Sequence, residues 1–182
     1  MATQSDSQLQ MLVEKDAIRD VVLLYCHAMD RHNQELLAKA FWPESQLEYG
    51  MFKGTGAEFA NSVFTWQIES GLTATLHSVS NSLIRITGDE AYGETYFNAY
   101  HRIKDASGKE HDNIVAGRYH DTFAKRANAW RILKRRIVFD WYRDYTDAGD
   151  WTTGFLGINH DTAPVGSHKE PSWATLRPLI GG

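Results

Sequence analysis

The sequence predicts one α+β domain in which helices come first and a strongly curved, mainly antiparallel sheet follows, forming a cone-shaped barrel around an apolar pocket. Two observations support this prediction. Apolar residues recur at helical spacing as far as Glu69, and after Gly71 the apolar period falls from about 3.6 residues to about 2. Turn residues then divide the remaining pattern into four long strands. Helices followed by a run of strands are typical of α+β domains, with the helices on one face of the sheet.

Three helices are predicted in the N-terminal part of the chain. The first covers about Gln8 to Met29, where apolar residues repeat at intervals of three and four and mark one buried stripe. The second covers Gln34 to Ala40 and ends before Pro43, because proline cannot continue a helix. A short strand over Gln46 to Phe52 then leads to the third helix, about Ala57 to Glu69.

The four long strands are joined by short turns such as Gly88-Asp89 and Ala127-Asn128. Close-set strands with such connections form an antiparallel meander. The predicted strands are Thr73–Ile86, Ala91–Ile103, His111–Ala124 and Trp130–Tyr142.

Side-chain alternation along the first long strand places His77 and Leu83 on one face, and Leu76, Ile84 and Ile86 on the other. The second set would leave an apolar patch on the outer side of the sheet, in water. Such patches favour association between subunits. We therefore expect a homodimer or a homotrimer.

Length and composition limit the classes of function. With 182 residues, 42% of them apolar, the chain can bury one good core. Its formal net charge is −4, and the longest basic run, residues 134–136, is too short for a nucleic-acid site. No apolar run could span a membrane, and residues 1–10 lack the apolar stretch of a secretory signal. A single cysteine, Cys26, excludes an internal disulfide, and the sequence predicts a cytoplasmic protein.

Residues beyond Tyr145 differ in composition from the rest. They hold three of the four prolines, with aromatic residues such as Trp151 and Trp173 among polar ones. Aromatic residues argue against simple disorder. We therefore expect a domain over residues 1–145 and an extension over residues 146–182 that covers the pocket or a subunit interface.

Asp30 follows the first predicted helix and is the main candidate for chemistry. It lies four residues after Cys26 and five after Tyr25, so it projects close to the buried stripe. A carboxylate directed at a core must be hydrogen-bonded, paired or neutralised. The alternative is an exposed aspartate that caps the helix beginning near Asn33.

His77, on the first long strand, is the second candidate, either as a structural residue or as a catalytic base. The other seven of the eight histidines show no metal-ligand spacing, and there is no cysteine cluster. Ser78, Ser80 and Ser82 lack the glycines that flank a serine nucleophile. The sequence thus predicts no metal and no other cofactor.

Taken together, these residues resemble a known family. The chain has Tyr25-x4-Asp30, then Tyr49, then a strand with His77, then the segments Gly117-Arg118-Tyr119 and Trp130-Arg131-Ile132. This order is similar to the SnoaL-like branch of the NTF2-like (ketosteroid-isomerase-like) superfamily, over about residues 9–145. Within it the chain resembles lyases with an Asp–His dyad: scytalone dehydratase, the bile-acid 7α-dehydratases and hexachlorocyclohexane dehydrochlorinase.

The resemblance implies roles for five residues. Asp30 and His77 match the acid and the histidine of the dyad. Tyr25 and Tyr49 match tyrosines that hold or polarise the substrate oxygen. Arg135 matches a basic residue that assists in the dehydrochlorinase, on the strand face opposite to its two basic neighbours.

Two further groups of residues are implied for the pocket. The family has a further polar group on the second long strand, and this group has no clear match here. The position that corresponds to it directly is Ala99, and Asn98 or His101 would match it only if the strand were shifted in register. Aromatic side chains are expected to line part of the pocket. They are Phe41, Trp42, Phe64, Phe97 and Tyr119.

An Asp–His pair also predicts chemistry without reference to the family. A histidine base must be neutral and oriented, and a carboxylate bonded to one ring nitrogen provides both. Proton removal next to a carbonyl creates an oxyanion, which tyrosine hydroxyls can stabilise. Loss of a β-hydroxyl or halide then gives elimination, whereas reprotonation elsewhere gives isomerisation.

The sequence therefore predicts a small-molecule lyase of the dehydratase type, acting on a polycyclic or aromatic hydroxy-ketone without a cofactor. An isomerase or polyketide-cyclase-like enzyme would use the same dyad. A non-catalytic protein that binds a small apolar or aromatic ligand is the third possibility, because the fold alone fixes no reaction.

Overall fold

The computed structural model describes residues 3–151 and 153. Within that part of the chain, three helices precede the four long strands, and no helix separates one long strand from the next, so the predicted α+β class is confirmed. The elements are α1 (Gln4–Asp30), α2 (Gln34–Ala40), β1 (Phe41–Tyr49), β2 (Phe52–Thr55), α3 (Gly56–Glu69), β3 (Leu72–Thr87), β4 (Glu90–Lys104), β5 (Glu110–Arg126) and β6 (Ala129–Tyr145).

Helix α1 begins four residues earlier than predicted, because Thr3 caps it. The Thr3 hydroxyl accepts a hydrogen bond from the backbone N–H of Asp6, and the Asp6 carboxylate accepts one from the N–H of Thr3. The predicted buried stripe is confirmed. It comprises Ile18, Val21, Val22, Tyr25, Cys26 and Met29.

The six strands of the described chain form one sheet in the order β2-β1-β6-β5-β4-β3. Strands β3 to β6 are the predicted antiparallel meander, and β1 pairs with β6 in parallel. The sheet has free edges at β2 and β3, so it is open and does not close into a barrel. The helices and the inner face of the sheet share one core.

The segment around β1 differs from the prediction. Pro43 lies inside β1, where the pairing with β6 is irregular between Phe41 and Gln46, and a residue without an N–H is tolerated at such a point. Gly50 adopts a φ of 65° and turns the chain into β2. Residues 46–52, predicted as one strand, therefore comprise the end of β1, the turn and the first residue of β2.

Strand β3 contains an irregularity that alternation could not reveal. Its pairing with β4 shifts between Val79 and Ser82. An extra residue at such a bulge reverses which side chains face inward. Ile84 and Ile86 therefore pack against the core, and their predicted place on the outer face is wrong. Leu83, predicted to share the face of His77, is instead 73% exposed.

The first residues after β6 contact the outer face of the sheet. The backbone N–H of Gly149 donates to the Asp112 carboxylate at 2.7 Å, and the Arg102 guanidinium lies 4.2 Å from the centre of the Trp151 ring. The rest of the predicted extension, over residues 146–182, lies outside the described residues apart from Thr153. Its role stays a prediction.

None of the described helices combines the length and the apolar character needed to cross a membrane.

Candidate functional site

Asp30 and His77 meet at the junction of α1 and β3. Oδ1 of Asp30 lies 2.6 Å from Nδ1 of His77, and both carboxylate oxygens accept the backbone N–H of His77, at 3.0 and 2.9 Å. The two side chains are only 8% and 7% exposed. One carboxylate thus holds both the ring and the backbone of His77.

Asp30 does not cap α2. That position belongs to Asn33, whose side-chain oxygen accepts the backbone N–H of Leu36 at 3.0 Å. The alternative interpretation of Asp30 as a helix cap is therefore wrong. Asp30 is the last residue of α1 and turns its carboxylate toward the sheet.

The contact with Asp30 determines which ring nitrogen of His77 is free to accept a proton. An ionised carboxylate can only accept a hydrogen bond, so the neutral imidazole carries its proton on Nδ1 and has its lone pair on Nε2. This tautomer and orientation are those that a general base requires.

His101 on β4 is the polar group next to His77. The two rings lie 5.9 Å apart between centres, and Nδ1 of His101 is 3.1 Å from the side-chain oxygen of Asn113. Burial, together with the nearby His77, lowers the pKa of His101 to about 4, so its ring is neutral at neutral pH. Ala99 pairs directly with His77 but has no polar side chain, and Asn98 is exposed. The alternation of the buried residues 97 and 99 would have placed residue 101 on the same inner face.

This histidine makes stability depend on pH. Between its usual pKa of 6.5 and the folded value of about 4, the unfolded chain binds a proton that the folded chain does not. The contribution of His101 to the free energy of unfolding is therefore fully present above the unfolded pKa. It is lost as the pH falls through this window, by about 3 kcal/mol for this one group. His101→Gln should remove that part of the pH dependence.

Urea denaturation between about pH 7 and about pH 4 measures the effect. The matched control is His120→Gln, since the His120 side chain is 44% exposed. An unchanged pH slope in His101→Gln would contradict the assignment.

Tyr25 and Tyr49 both lie in the interior. The Tyr25 ring lies edge-on to His77, with 6.4 Å between ring centres. Burial raises the pKa of Tyr25 to about 12, and it raises that of Tyr49 well above the usual value, while the charge of Arg135 acts against both shifts. The two hydroxyls are therefore protonated at neutral pH and can donate hydrogen bonds.

Arg135 is 1% exposed, and its guanidinium lies over the ring of Tyr25. Its Nε and Nη2 atoms donate to the two oxygens of Asp121, each at 2.7 Å. The guanidinium carbon is 4.3 Å from the ring centre of Tyr25 and 4.2 Å from that of Tyr119. Residues 134 and 136 are exposed, on the face opposite to Arg135. Asp121 was not among the site residues that the sequence predicted.

The five predicted pocket aromatics do not all come together. Phe97 stacks on Tyr119 with ring centres 4.4 Å apart, and Phe41 lies edge-on to Tyr25 at 5.8 Å. Phe64 on α3 stacks with His32 instead. Trp42 lies apart from them: its indole N–H donates to the carbonyl of Ala124, and the guanidinium groups of Arg126 and Arg131 lie over its ring.

A family match covers most of this domain. The sequence model of the SnoaL-like domain matches residues 10–136. The resemblance predicted from the sequence is therefore confirmed. A search of curated proteins finds no match.

Many solved structures share the fold, and this chain is similar to the following three among them. A protein of Novosphingobium aromaticivorans, provisionally described as a scytalone dehydratase, is 28% identical, with a TM-score of 0.64 over 74% of this chain and 89% of its own. The hexachlorocyclohexane dehydrochlorinase LinA-type3 of Novosphingobium barchaimii is 17% identical, with a TM-score of 0.62 over 75% and 93%. Another protein of N. aromaticivorans, provisionally described as an aromatic ring hydroxylase, is 19% identical, with a TM-score of 0.62 over 73% and 94%.

Proposed function

The chain belongs to the SnoaL-like domain family, and we propose that it is a small-molecule lyase of the dehydratase type. The buried hydrogen bond between Asp30 and His77 is the observation that carries this proposal. The similar structures described as a dehydratase and as a dehydrochlorinase support an elimination reaction.

In the proposed reaction, Nε2 of His77 removes a proton from the carbon next to the ketone of the substrate. The electron pair of that C–H bond moves toward the carbonyl and gives an enolate, whose oxygen accepts hydrogen bonds from Tyr25 and Tyr49. Collapse of the enolate expels the β-hydroxyl group. The protonated His77 returns its proton to this group, so that water and an unsaturated ketone leave. One C–H bond and one C–O bond break, a C=C bond and water form, and no net oxidation or reduction occurs, so the step requires no cofactor.

The surroundings favour a neutral, flat substrate. Aromatic rings dominate the cluster around His77, with Phe97 stacked on Tyr119 and Tyr25 edge-on to both His77 and Tyr119. Arg135, the cation within this cluster, is already paired with Asp121. We therefore propose a polycyclic or aromatic hydroxy-ketone as substrate.

A panel of such hydroxy-ketones, each with its counterpart lacking the β-hydroxyl, tests the reaction. We expect loss of water by mass spectrometry from some hydroxy-ketones, abolished in His77→Ala. Exchange of the carbon-bound proton of the hydroxy-ketones themselves, without elimination, would favour an isomerase or cyclase. A ligand that raises the melting temperature while neither reaction occurs would contradict the lyase and favour a binding protein.

The outer face of the sheet suits association between copies. Several large side chains on it are exposed: Leu76, Leu83, Tyr92, Tyr96 and Trp141. Large apolar patches of this kind mark interaction surfaces. We propose a homodimer or homotrimer that forms through this face.

Light scattering of Leu83→Glu tests the interface. We expect the wild-type chain to exceed the monomer mass of 20.7 kDa and the variant to approach it. Met51→Glu, at a fully exposed position in the β1–β2 turn, is the control and should leave the mass unchanged. A wild-type mass near 20.7 kDa at micromolar concentration would contradict the proposal.

A further inference from the structure

The N-terminal turns of α1 have little within the described chain to pack against. Residues 4–13 are all exposed, whereas the buried stripe of the helix begins only at Ile18. The cap at Thr3 supports the first turn, but most helical stability in proteins comes from tertiary packing, and an isolated helix of this length is marginal in water. A further surface alongside these turns would therefore stabilise them.

The solvent side of α1 carries an apolar line of its own. Leu9 and Leu12 are each 62% exposed, and Leu23, three turns beyond Leu12, is 52% exposed. With Asp16 and Arg19 between them, these residues follow one another at intervals of three and four, so all five lie on one side of the helix. These five residues form the solvent stripe. Its spacing is that of a coiled-coil seam, which packs against another helix.

The solvent stripe borders a groove between α1 and the free edge of the sheet. Arg19 and Leu23 form one wall of this groove. Val79, Ser80 and Ser82 of β3, an edge strand, form the other wall. The groove has a volume of about 350 Å³. A helix laid along the solvent stripe therefore has a recess beside it for its apolar side chains.

The order of residues along the solvent stripe makes it complementary to a second copy of itself. In an antiparallel pair about a two-fold axis level with residues 17–18, Leu12 meets Leu23 of the partner subunit, and Asp16 meets Arg19 of the partner subunit. A parallel pair would place like charges opposite each other. The two charged side chains are available for such contacts, since they are 76% and 47% exposed and lie 4.0 Å apart within one helix.

We propose that two copies of this chain dock through α1, with their solvent stripes antiparallel and with Leu9 and Leu12 of each copy beside the groove of the other. Three leucines from each copy and two ion pairs make a small contact, which is weak on its own. The helices pack on the inner face of the sheet, so this contact lies on the opposite side of the molecule from the outer face. It therefore links assemblies that form through the outer face, where several weak contacts act together.

The charges on this side of α1 favour a second copy over a lipid surface. Helices that lie on membranes carry lysine and arginine on their polar face and bind anionic lipids. Here Asp16 lies at the centre of the solvent stripe, and Asp20, one turn further on, is also exposed. Anionic lipids repel carboxylates at these positions. A second copy instead supplies Arg19 as a partner for Asp16.

A disulfide tests the antiparallel arrangement. In Leu12→Cys/Leu23→Cys, the two new thiols of one copy are about 16 Å apart along the helix, too far to join each other. Across the proposed pair, each thiol meets the other kind. We expect mild oxidation at high protein concentration to give a covalent dimer in this double variant, measured by intact-protein mass spectrometry. Neither single variant should give it, because identical positions of the two copies are also about 16 Å apart.

Met11→Cys/Leu23→Cys is the matched control. Met11 is 43% exposed, but it lies about 100° around the helix from Leu12 and so points away from the solvent stripe. This variant should form no covalent dimer. The wild-type chain should form none either, since its one cysteine, Cys26, is buried. Far-UV circular dichroism checks that each variant is folded.

A charge exchange tests the ion pairs. In the Leu12→Cys/Leu23→Cys background, Asp16→Arg or Arg19→Asp alone sets like charges opposite each other. Each should slow the cross-link by about two- to fivefold, the range for exposed ion pairs. Asp16→Arg/Arg19→Asp exchanges both charges and should restore the rate. An apolar contact without the ion pairs would not recover in this way.

Four results would overturn the inference: a covalent dimer in the single variants, an equal yield in the Met11 control, no covalent dimer in the folded Leu12→Cys/Leu23→Cys variant, or no recovery on charge exchange. Binding of the wild-type chain to phosphatidylserine vesicles, lost in Leu12→Glu, would assign the stripe to a membrane and also overturn it. The cross-link should persist at high concentration when Leu83→Glu is added, so failure of the outer-face interface is distinguishable from failure of this one. Neither outcome depends on catalysis.

Discussion

His77→Ala should lower the rate of carbon-proton abstraction by about 10²–10⁴-fold, the usual effect of losing a general base. The reason is specific to the geometry. The carboxylate of Asp30 engages Nδ1 of His77, so that Nε2 carries the lone pair, which takes the proton in the proposed reaction. Initial rates with the best substrate of the hydroxy-ketone panel measure the loss.

Asp30→Asn should cause a similar loss. An amide in place of the carboxylate can donate to Nδ1 and favour the wrong tautomer, and it no longer stabilises the imidazolium. Because the two residues act as one unit, the double variant should be little slower than either single variant. Tyr25→Phe and Tyr49→Phe should cost less, since each removes one of several donors.

Ser78→Ala is the control for these rates, because Ser78 is adjacent to His77 on β3 but exposed. It should retain wild-type activity. Losses that simply multiply in the double variant would contradict the dyad.

Arg135→Met should destabilise the fold by about 3–5 kcal/mol, the usual cost of breaking a buried ion pair. The substitution keeps much of the side-chain volume but leaves the Asp121 carboxylate buried at 5% exposure without its partner. Urea denaturation measures the change in the free energy of unfolding.

Two variants show whether the charge is the cause. Arg136→Met alters an exposed cation on the same strand and should change stability by less than about 0.5 kcal/mol. Asp121→Asn/Arg135→Met should recover part of the loss, because no unpaired charge remains. Equal losses in the single and double variants would show that packing, rather than charge, accounts for the effect.

The sequence predicted the parts of the fold that depend on local pattern. The stripe from Ile18 to Met29 defined α1, and the change of period after Gly71 located the sheet. Features that depend on a partner strand were missed. The bulge in β3 between Val79 and Ser82 is set by the pairing with β4, so strict alternation gave the wrong face for every residue beyond it.

The contacts of the candidate site were predictable to a similar extent. Asp30 stood out because a carboxylate followed a buried stripe, and the structure places it against His77. Asp121 carried the same kind of signal, since it alternates with the buried residues Tyr119 and Phe123. Its partner, however, depends on the register between β5 and β6, which the sequence does not contain.

Hydrogen–deuterium exchange at carbon tests the central claim most directly, since it requires proton abstraction but no leaving group. In D2O, a ketone that lacks the β-hydroxyl should gain deuterium next to its carbonyl in the presence of the wild-type protein, as mass spectrometry would show. His77→Ala should not accelerate this gain. If the ketone binds but its exchange is no faster than in buffer, or if His77→Ala accelerates it equally, His77 is not the base.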